Sequence, residues 1–221
     1  MFSNMPPITK ALLIANGLVF LLQLWLGEPA LAQFELWPPV GGDDPYAYTF
    51  LPWQVVTYGF MHGGWAHLLF NMLALAMFGA PLEHVWGQRR YFTYYLVCLV
   101  GAAVCQLAVG AWTVSQGGEA YPTVGASGGI FGLLLAYGML FPNQRVMLLI
   151  PPIPMKARTL VIVYGAIELL LGITNVMPGV AHFAHLGGML FGWLLILYWR
   201  RPRNRPPTRP KPRPSHLRSV K

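Results

Sequence analysis

Six polar side chains that could do chemistry stand within long apolar stretches of the sequence. They are His67, Asn71, Ser127, Glu168, His182 and His185. Ionisable or strongly polar groups are costly inside a membrane, so each one raises a functional question. Ser127 lies in the glycine-rich segment TVGASGGIFG, and His185 lies in AHLGG. If these two faces pack closely, the imidazole can reach the hydroxyl and activate it as a nucleophile.

The same glycines also have a purely structural explanation. Two G-x-x-x-G pairs surround the serine, namely Gly125 with Gly129 and Gly128 with Gly132. Small residues at this spacing let helices approach closely, and taken alone this interpretation is favoured. His182 is interpreted as a cap or interfacial residue. Glu168 is interpreted as a neutral or hydrogen-bonded buried acid.

The composition indicates an integral membrane protein. Of the 221 residues, 55% are hydrophobic and only 10% are charged, and the mean hydropathy is +0.49. Soluble domains carry about a quarter charged residues, so the composition argues against an ordinary soluble domain. The high hydrophobicity also excludes a disordered chain, and two cysteines are too few for a disulfide scaffold.

Uncharged stretches long enough to cross a bilayer predict the helices. The expected fold class is an all-α membrane protein, a six-transmembrane-helix bundle that forms one domain over residues 1–199. The helices are expected at roughly 9–27, 62–82, 91–113, 122–141, 157–174 and 180–199, with an interfacial loop over 28–61.

The predicted topology brings the polar groups to one level. Helices two, four and six enter the membrane from the same side. Counted at 1.5 Å per helical residue from the prolines before them, Ser127 and His185 lie about 7 to 10 Å below the outer surface. His67 and Asn71, on one face of helix two, fall in the same outer half. Four polar groups from three helices are therefore expected to meet.

The formal net charge of +8 comes from the C-terminus. Nine of the fifteen basic residues lie between Arg200 and Lys221, which predicts a basic, proline-rich, disordered cytoplasmic tail over residues 200–221. We interpret this tail as a topology anchor at the lipid surface and expect no nucleic-acid partner. The loop cations fall on one side of the bundle and the loop acids on the other, so both termini are expected in the cytoplasm. An A-x-A sequence after the first helix imitates a signal-peptide site, but a retained helix is expected.

Four short motifs follow one another along the chain. They are H-x-x-x-N at His67 and Asn71, G-x-x-x-E-x-x-x-G at Gly79, Glu83 and Gly87, G-x-S-G at Gly125, Ser127 and Gly128, and A-H-x-x-G at His185 and Gly188. In this order and topology they resemble the rhomboid family of intramembrane serine proteases. The resemblance covers about residues 8–199, and only the basic tail lies outside it.

The resemblance implies a catalytic dyad without a carboxylate. His185 would deprotonate Ser127, which would attack a peptide carbonyl and form an acyl-enzyme that water hydrolyses. The His67 and Asn71 side chains, with the Ser127 backbone N–H, are the implied donors to the oxyanion. The implied supporting residues are Gly125, Gly128 and Gly188. Glu168 has no motif that assigns it a role beside the histidine.

The resemblance also implies the partners. Substrates would be single-span transmembrane proteins, cut near the outer face of a bacterial inner (cytoplasmic) membrane in which this multi-pass protein contacts lipid. The segments Trp37–Trp53 and Asn175–Val180 would flank the site. Neither a cofactor nor a metal is expected.

The main alternative is a rhomboid-like protein that binds or traffics transmembrane clients without cutting them, and the intact Ser127 and His185 argue against it. An α/β-hydrolase elbow needs a preceding strand and a later acid. A zinc protease needs the motif H-E-x-x-H, which the sequence lacks. An aspartyl protease needs two aspartates within the membrane segments, which are also absent from the sequence. A small transporter fits less well because the polar residues cluster near one face.

Overall fold

The computed structural model describes residues 4–39, 48–147, 152–174 and 180–201. Several predicted features lie wholly or almost wholly outside these residues. They are the basic tail, the loop over residues 175–179 and the acidic pair Asp43 and Asp44. The expectations about these segments therefore stay predictions.

The described chain is a succession of helices. The first is α1 (Pro7–Leu26), and the segment after it contains α2 (Glu28–Leu31), a 3₁₀ turn (Ala32–Phe34), α3 (Gln54–Thr57) and a second 3₁₀ turn (Tyr58–Phe60). The next long helix, Trp65–Trp86, consists of α4 (Trp65–Ala74), a π turn (Leu75–Gly79) and α5 (Ala80–Trp86). The remaining elements are α6 (Gln88–Ser115), α7 (Ser127–Leu140), β1 (Arg145–Met147), β2 (Pro154–Lys156), α8 (Ala157–Thr174) and α9 (His182–Arg200).

Five of the described helices are long and apolar enough to cross a membrane. They are α1, Trp65–Trp86, α6, α8 and α9, while α7 is apolar but has only 14 residues. The predicted helical membrane bundle is confirmed in this form. The five long helices begin and end within four residues of their predicted bounds. A short antiparallel hairpin of β1 and β2, with Arg145 opposite Lys156, was not predicted.

The structure differs from the prediction at the fourth helix, which begins at Ser127 instead of residue 122. Residues 122–125 are not helical, because Leu36 and Thr123 exchange two backbone hydrogen bonds of 3.0 and 2.9 Å. Gly125 follows with a φ of +126°, which is incompatible with an α-helix. The predicted depth of Ser127 assumes a helical rise of 1.5 Å per residue from Pro122. This assumption is wrong, because the residues between Pro122 and Gly125 are not helical.

Helix α6 is the centre of the bundle and packs against both α7 and α9. Its fully buried face combines aromatic and small side chains, namely Tyr91, Tyr94, Tyr95, Cys98, Leu99, Ala102 and Ala103. Small residues at helix contacts allow the close approach that membrane bundles need. Large apolar side chains are exposed on α1, α8 and α9, as expected where helices contact lipid.

The start of α1 is held by a buried carboxylate. Glu83 Oε1 accepts the Ile8 backbone N–H at 2.9 Å, and Oε2 accepts the Thr9 N–H at 2.7 Å and the Thr9 hydroxyl at 2.8 Å. The first N–H groups of a helix lack partners within the helix, so this carboxylate satisfies two of them. Gly87, with a φ of +75°, ends α5 and turns the chain into α6.

The π turn divides helix Trp65–Trp86 into two halves that carry different polar residues. A π turn holds one residue more than an α-helical turn, and such turns are frequent near functional sites. Here the half before the turn carries His67 and Asn71, and the half after it carries Glu83.

Candidate active site

Ser127 is the first residue of α7, and its position depends on the chain before it. The Gly125 N–H donates to the Tyr58 carbonyl at 2.9 Å, and the Tyr58 hydroxyl in turn donates to the Leu99 carbonyl at 2.8 Å. Tyr58 is buried, and burial raises the pKa of its hydroxyl well above the usual range. Through Tyr58, the residues just before Ser127 are thereby hydrogen-bonded to the segment between α1 and α4 and to α6.

Glycines bring α9 against α7. A Cβ on Gly188 would overlap the carbonyl oxygen of Gly128, and a Cβ on Gly128 would overlap the Ala102 side chain on α6. The predicted close contact between the two glycine-lined faces is present. It places His185 Nε2 2.8 Å from Ser127 Oγ, within hydrogen-bond distance.

The His185 ring is held flat against α7. The Phe131 ring, one helical turn after Ser127, stacks on it with centroids 4.2 Å apart and an interplanar angle of 6°. Stacking limits rotation of the imidazole, so Nε2 stays directed at the serine hydroxyl. The sequence did not single out Phe131, because a Phe within an apolar helix indicates no more than packing.

His67 also lies close to the serine. The Gly63 N–H donates to His67 Nδ1 at 3.3 Å, so in the neutral ring Nε2 carries the proton and can donate. A Cβ on Gly125 would lie 2.7 Å from His67 Nε2 and 3.6 Å from Ser127 Oγ. Glycine at position 125 therefore leaves the space between the imidazole and the hydroxyl open.

Asn71 is one turn after His67 on the same face of α4 and is 5% exposed. It lines the same cavity as His67, Ser127 and His185. The structure thus brings together the four residues that the sequence predicts, from α4, α7 and α9. This cavity has a volume of about 720 Å³ and is otherwise lined mainly by apolar side chains of α4, the π turn, α7 and α8.

A further histidine, His62, contacts His67 and was not singled out from the sequence. The His62 ring meets the His67 ring edge to face with centroids 5.1 Å apart. Burial, with a smaller contribution from His67, lowers the pKa of His62 to about 4, so its ring is neutral at pH 7. Gln23 of α1 holds the His62 backbone, with the His62 N–H donating to Gln23 Oε1 at 2.9 Å. The spacing of two histidines in MHGGWAH was the available signal.

Residues 50–202 match the family model described as the Rhomboid domain. The chain belongs to the rhomboid family. It is 34% identical over 146 residues to RHOMBOID-like protein 4 of Arabidopsis thaliana, and this alignment covers 65% of this chain and 33% of the relative. It is 29% identical over 209 residues to Rhomboid protein 1, mitochondrial, of Saccharomyces cerevisiae, covering 88% and 58%. It is 30% identical over 141 residues to Rhomboid protease GluP of Bacillus subtilis, covering 64% and 25%.

The chain therefore spans less than two thirds of the length of each of these three relatives. The match covers the helices that carry all four predicted polar residues of the site, since it begins before α3 and ends just after α9. The predicted rhomboid resemblance is confirmed at the level of the family.

This rhomboid chain also carries a carboxylate beside its histidine. Glu168 Oε2 of α8 is 2.9 Å from His185 Nδ1, although the ring N–H direction departs from an aligned hydrogen bond. The same oxygen accepts a hydrogen bond from His182 Nδ1 at 2.7 Å. The expectation of a hydrogen-bonded buried acid fits Glu168, but its place next to His185 was not foreseen. His182 is the first residue of α9 and is buried.

Proposed function

We propose that the protein is an intramembrane serine endopeptidase that uses Ser127 as nucleophile and His185 as general base. The observation that carries the proposal is the 2.8 Å separation of His185 Nε2 and Ser127 Oγ beside a largely apolar cavity in a membrane bundle. A nucleophile within hydrogen-bond distance of its base is the geometric requirement of this chemistry.

In the proposed mechanism, His185 Nε2 accepts the Ser127 proton as Oγ attacks the carbonyl carbon of the scissile peptide bond. The protonated imidazole then gives this proton to the departing amine, which leaves an acyl-enzyme ester on Oγ. Water, deprotonated by the same nitrogen, attacks the ester and releases the second product. The serine and the histidine thereby return to their starting states.

The negative charge that develops on the carbonyl oxygen needs hydrogen-bond donors close to Ser127 Oγ. We assign the His67 Nε2–H, the Asn71 side-chain amide and the Ser127 backbone N–H to this role. The Gly63 contact to His67 Nδ1 supports this assignment, because it favours the tautomer that carries a proton on Nε2. Ser127 begins α7, so its N–H has no helical carbonyl to bond. Such donors typically contribute about 10² to 10³ in rate.

The proposed substrates are single-span transmembrane proteins cut near the outer face of the membrane. The apolar lining of the cavity favours a peptide segment that arrives from lipid over a soluble peptide. We assign the protein to the bacterial inner membrane as a multi-pass protein, with the division into a membrane domain over residues 1–199 and a basic tail over 200–221.

A rhomboid-like protein that binds or traffics clients without cutting them is the second candidate function. It requires the cavity but no paired nucleophile and base. The Ser127–His185 hydrogen bond and the donors around it favour the protease.

The deciding experiment incubates the purified protein, in liposomes, with a generic single-span substrate and sequences the products. We expect one major cut near the outer end of the substrate helix, and no cut with Ser127→Ala protein prepared in parallel. Stable binding of the substrate without cleavage by the unaltered protein would instead favour the client-binding function.

The proposed orientation has its own test, because it depends on the loop charges. Reporter fusions at residue 201 and within the loop at residues 116–120 should report opposite sides of the membrane, the first cytoplasmic. A C-terminal fusion on the outer side would contradict the proposed topology without affecting the proposed chemistry.

A further inference from the structure

One oxygen of Glu168 lies within reach of two imidazoles. Its Oε2 is 2.7 Å from His182 Nδ1 and 2.9 Å from His185 Nδ1, and the residue as a whole is 8% exposed. An ionised carboxylate has only acceptor sites, so each ring nitrogen facing it is favoured in its protonated form. The His185 ring then carries its proton on Nδ1 and presents a bare Nε2 to the serine hydroxyl.

This tautomer is the one that a general base needs. A neutral imidazole protonated on Nε2 would donate to Ser127 Oγ and could not remove its proton. Stacking on Phe131 fixes the plane of the His185 ring but does not determine which of its two nitrogens carries the proton. Of the side chains that the structure places within hydrogen-bond distance of His185 Nδ1, Glu168 is the one with an acceptor.

Glu168 acts from outside the substrate cavity. Ser127, His185 and Phe131 line that cavity, whereas Glu168 and His182 do not. A substrate held in the cavity therefore meets the carboxylate only through the His185 ring. Loss of Glu168 is expected to change the reactivity of His185 and to leave substrate binding unaltered.

Taking the proposed protease function as its basis, we propose that Glu168 is a positioning residue that fixes the tautomer and orientation of His185. The site then works as a Ser127–His185–Glu168 chain, with His182 as a second donor to the carboxylate. This differs from the dyad without a carboxylate that the sequence resemblance implies.

A metal ion offers a competing explanation, since the ligand atoms of Glu168, His182 and His185 all lie within 4.8 Å of one another. Ligands at about 2.0 to 2.1 Å from a tetrahedral zinc ion lie about 3.3 Å apart. The two nitrogen–oxygen separations here, 2.7 and 2.9 Å, are hydrogen-bond lengths. Only the His182 contact is an aligned hydrogen bond, but both separations are shorter than the spacing of zinc ligands and so favour a carboxylate–imidazole cluster over a shared metal.

The test compares Glu168→Gln with Glu83→Gln, which alters the other buried carboxylate in the described residues, one that does not line the cavity. For Glu168→Gln we expect kcat to fall about 10²-fold with KM within about twofold, because only the base is affected. For Glu83→Gln we expect kcat and KM per folded molecule to stay unchanged. An unchanged kcat in Glu168→Gln, or a loss that follows the melting temperature in both variants, would overturn the proposal.

A second measurement does not depend on activity. The ¹⁵N chemical shifts of the His185 ring, in protein labelled at histidine, distinguish a protonated nitrogen from a bare one. We expect Nδ1 protonated and Nε2 bare in the unaltered protein, and loss of this preference in Glu168→Gln. An Nε2-protonated ring, or no change in the variant, would refute the inference about Glu168.

The two proposals can fail separately. If the unaltered protein neither cuts the substrate nor reacts with a phosphonate, the protease proposal fails while the NMR measurement still decides the role of Glu168. If activity disappears on chelation and returns with Zn²⁺, and the His185 ¹⁵N shifts change with the metal, a metal occupies the Glu168 cluster and the proposed positioning role of Glu168 is wrong.

Discussion

Glu83 and Glu168 are both buried carboxylates, but they stand among partners of different kinds. Glu83 is 3% exposed and accepts three hydrogen bonds from Ile8 and Thr9, two of them from backbone N–H groups. Glu168 is 8% exposed, and its polar contacts with other described residues are to imidazole nitrogens of α9. Burial is nearly the same, so burial alone does not indicate what a membrane carboxylate does.

The difference lies in what the partners can do. Backbone N–H groups keep their protons throughout any reaction, so the Glu83 contacts can only hold α1 in place. Imidazoles change protonation during acid–base chemistry, and the one that Glu168 approaches also contacts a hydroxyl beside a cavity. We therefore expect changes near Glu168 to affect rate and changes near Glu83 to affect stability.

The largest expected effect comes from removing the nucleophile or its base. Ser127→Ala and His185→Ala should each lower kcat by about 10⁶-fold, to background, because either change removes the pair as a unit. Substrate cleavage and phosphonate labelling are the measurements. Both variants should melt at the temperature of the unaltered protein. Normal cutting by either variant would remove the basis for the contrast between the two carboxylates.

An intermediate effect is expected from the proposed oxyanion donors. His67→Ala and Asn71→Ala should each lower kcat about 10²-fold, since each removes one stabilising donor. Both should still be labelled at Ser127 by a phosphonate, which separates them from His185→Ala. If His67→Ala resisted the phosphonate like His185→Ala while Asn71→Ala behaved normally, His67 would have to be considered as the base.

Changing the other carboxylate should move stability instead of rate. Glu83→Gln replaces a charged acceptor of three hydrogen bonds, and it should lower the free energy of unfolding by about 1.5 to 3 kcal/mol. Thermal or denaturant unfolding in detergent measures this loss. Proteolysis per folded molecule should not change, and Thr9→Val, which removes one of the three donors, should lower stability by less.

The smallest expected effect concerns the ring that stacks on His185. Phe131→Leu removes an aromatic contact of about 0.5 to 1.5 kcal/mol, so kcat should fall roughly two- to tenfold. Phe131→Tyr keeps the ring and serves as the matched control. Steady-state kinetics of the two variants measure the difference. Equal rates for Leu and Tyr would mean that Glu168 alone orients His185.

Much of the bundle was predictable because it depends on local composition. Apolar runs indicated five of the helices to within a few residues. The meeting of Ser127 and His185 was also predictable, since glycines on both helices signal close approach, and Gly188 does lie against Gly128.

The remainder depends on contacts that are distant along the chain. The start of α7 at Ser127 is set by the bridge between Leu36 and Thr123, which no local pattern encodes. The nearness of Glu168 to His185 depends on how α8 and α9 are aligned after their connecting loop. Composition predicts that such a residue is buried, but not which side chain it faces.

The π turn has a consequence for helix Trp65–Trp86 as a whole. Asn71 and Glu83 are twelve residues apart and would point about 120° from each other in a regular α-helix. The additional residue of the π turn reduces this angle to about 20 to 30°, so both polar groups lie on one side of the helix. Leu69 and Val85, which are 64% and 57% exposed, then share the opposite side. The π turn thus absorbs one surplus residue and keeps a single lipid-facing stripe in phase along the whole helix. If the same residues were wound as a regular α-helix, Glu83 would turn outwards by about a quarter of a revolution.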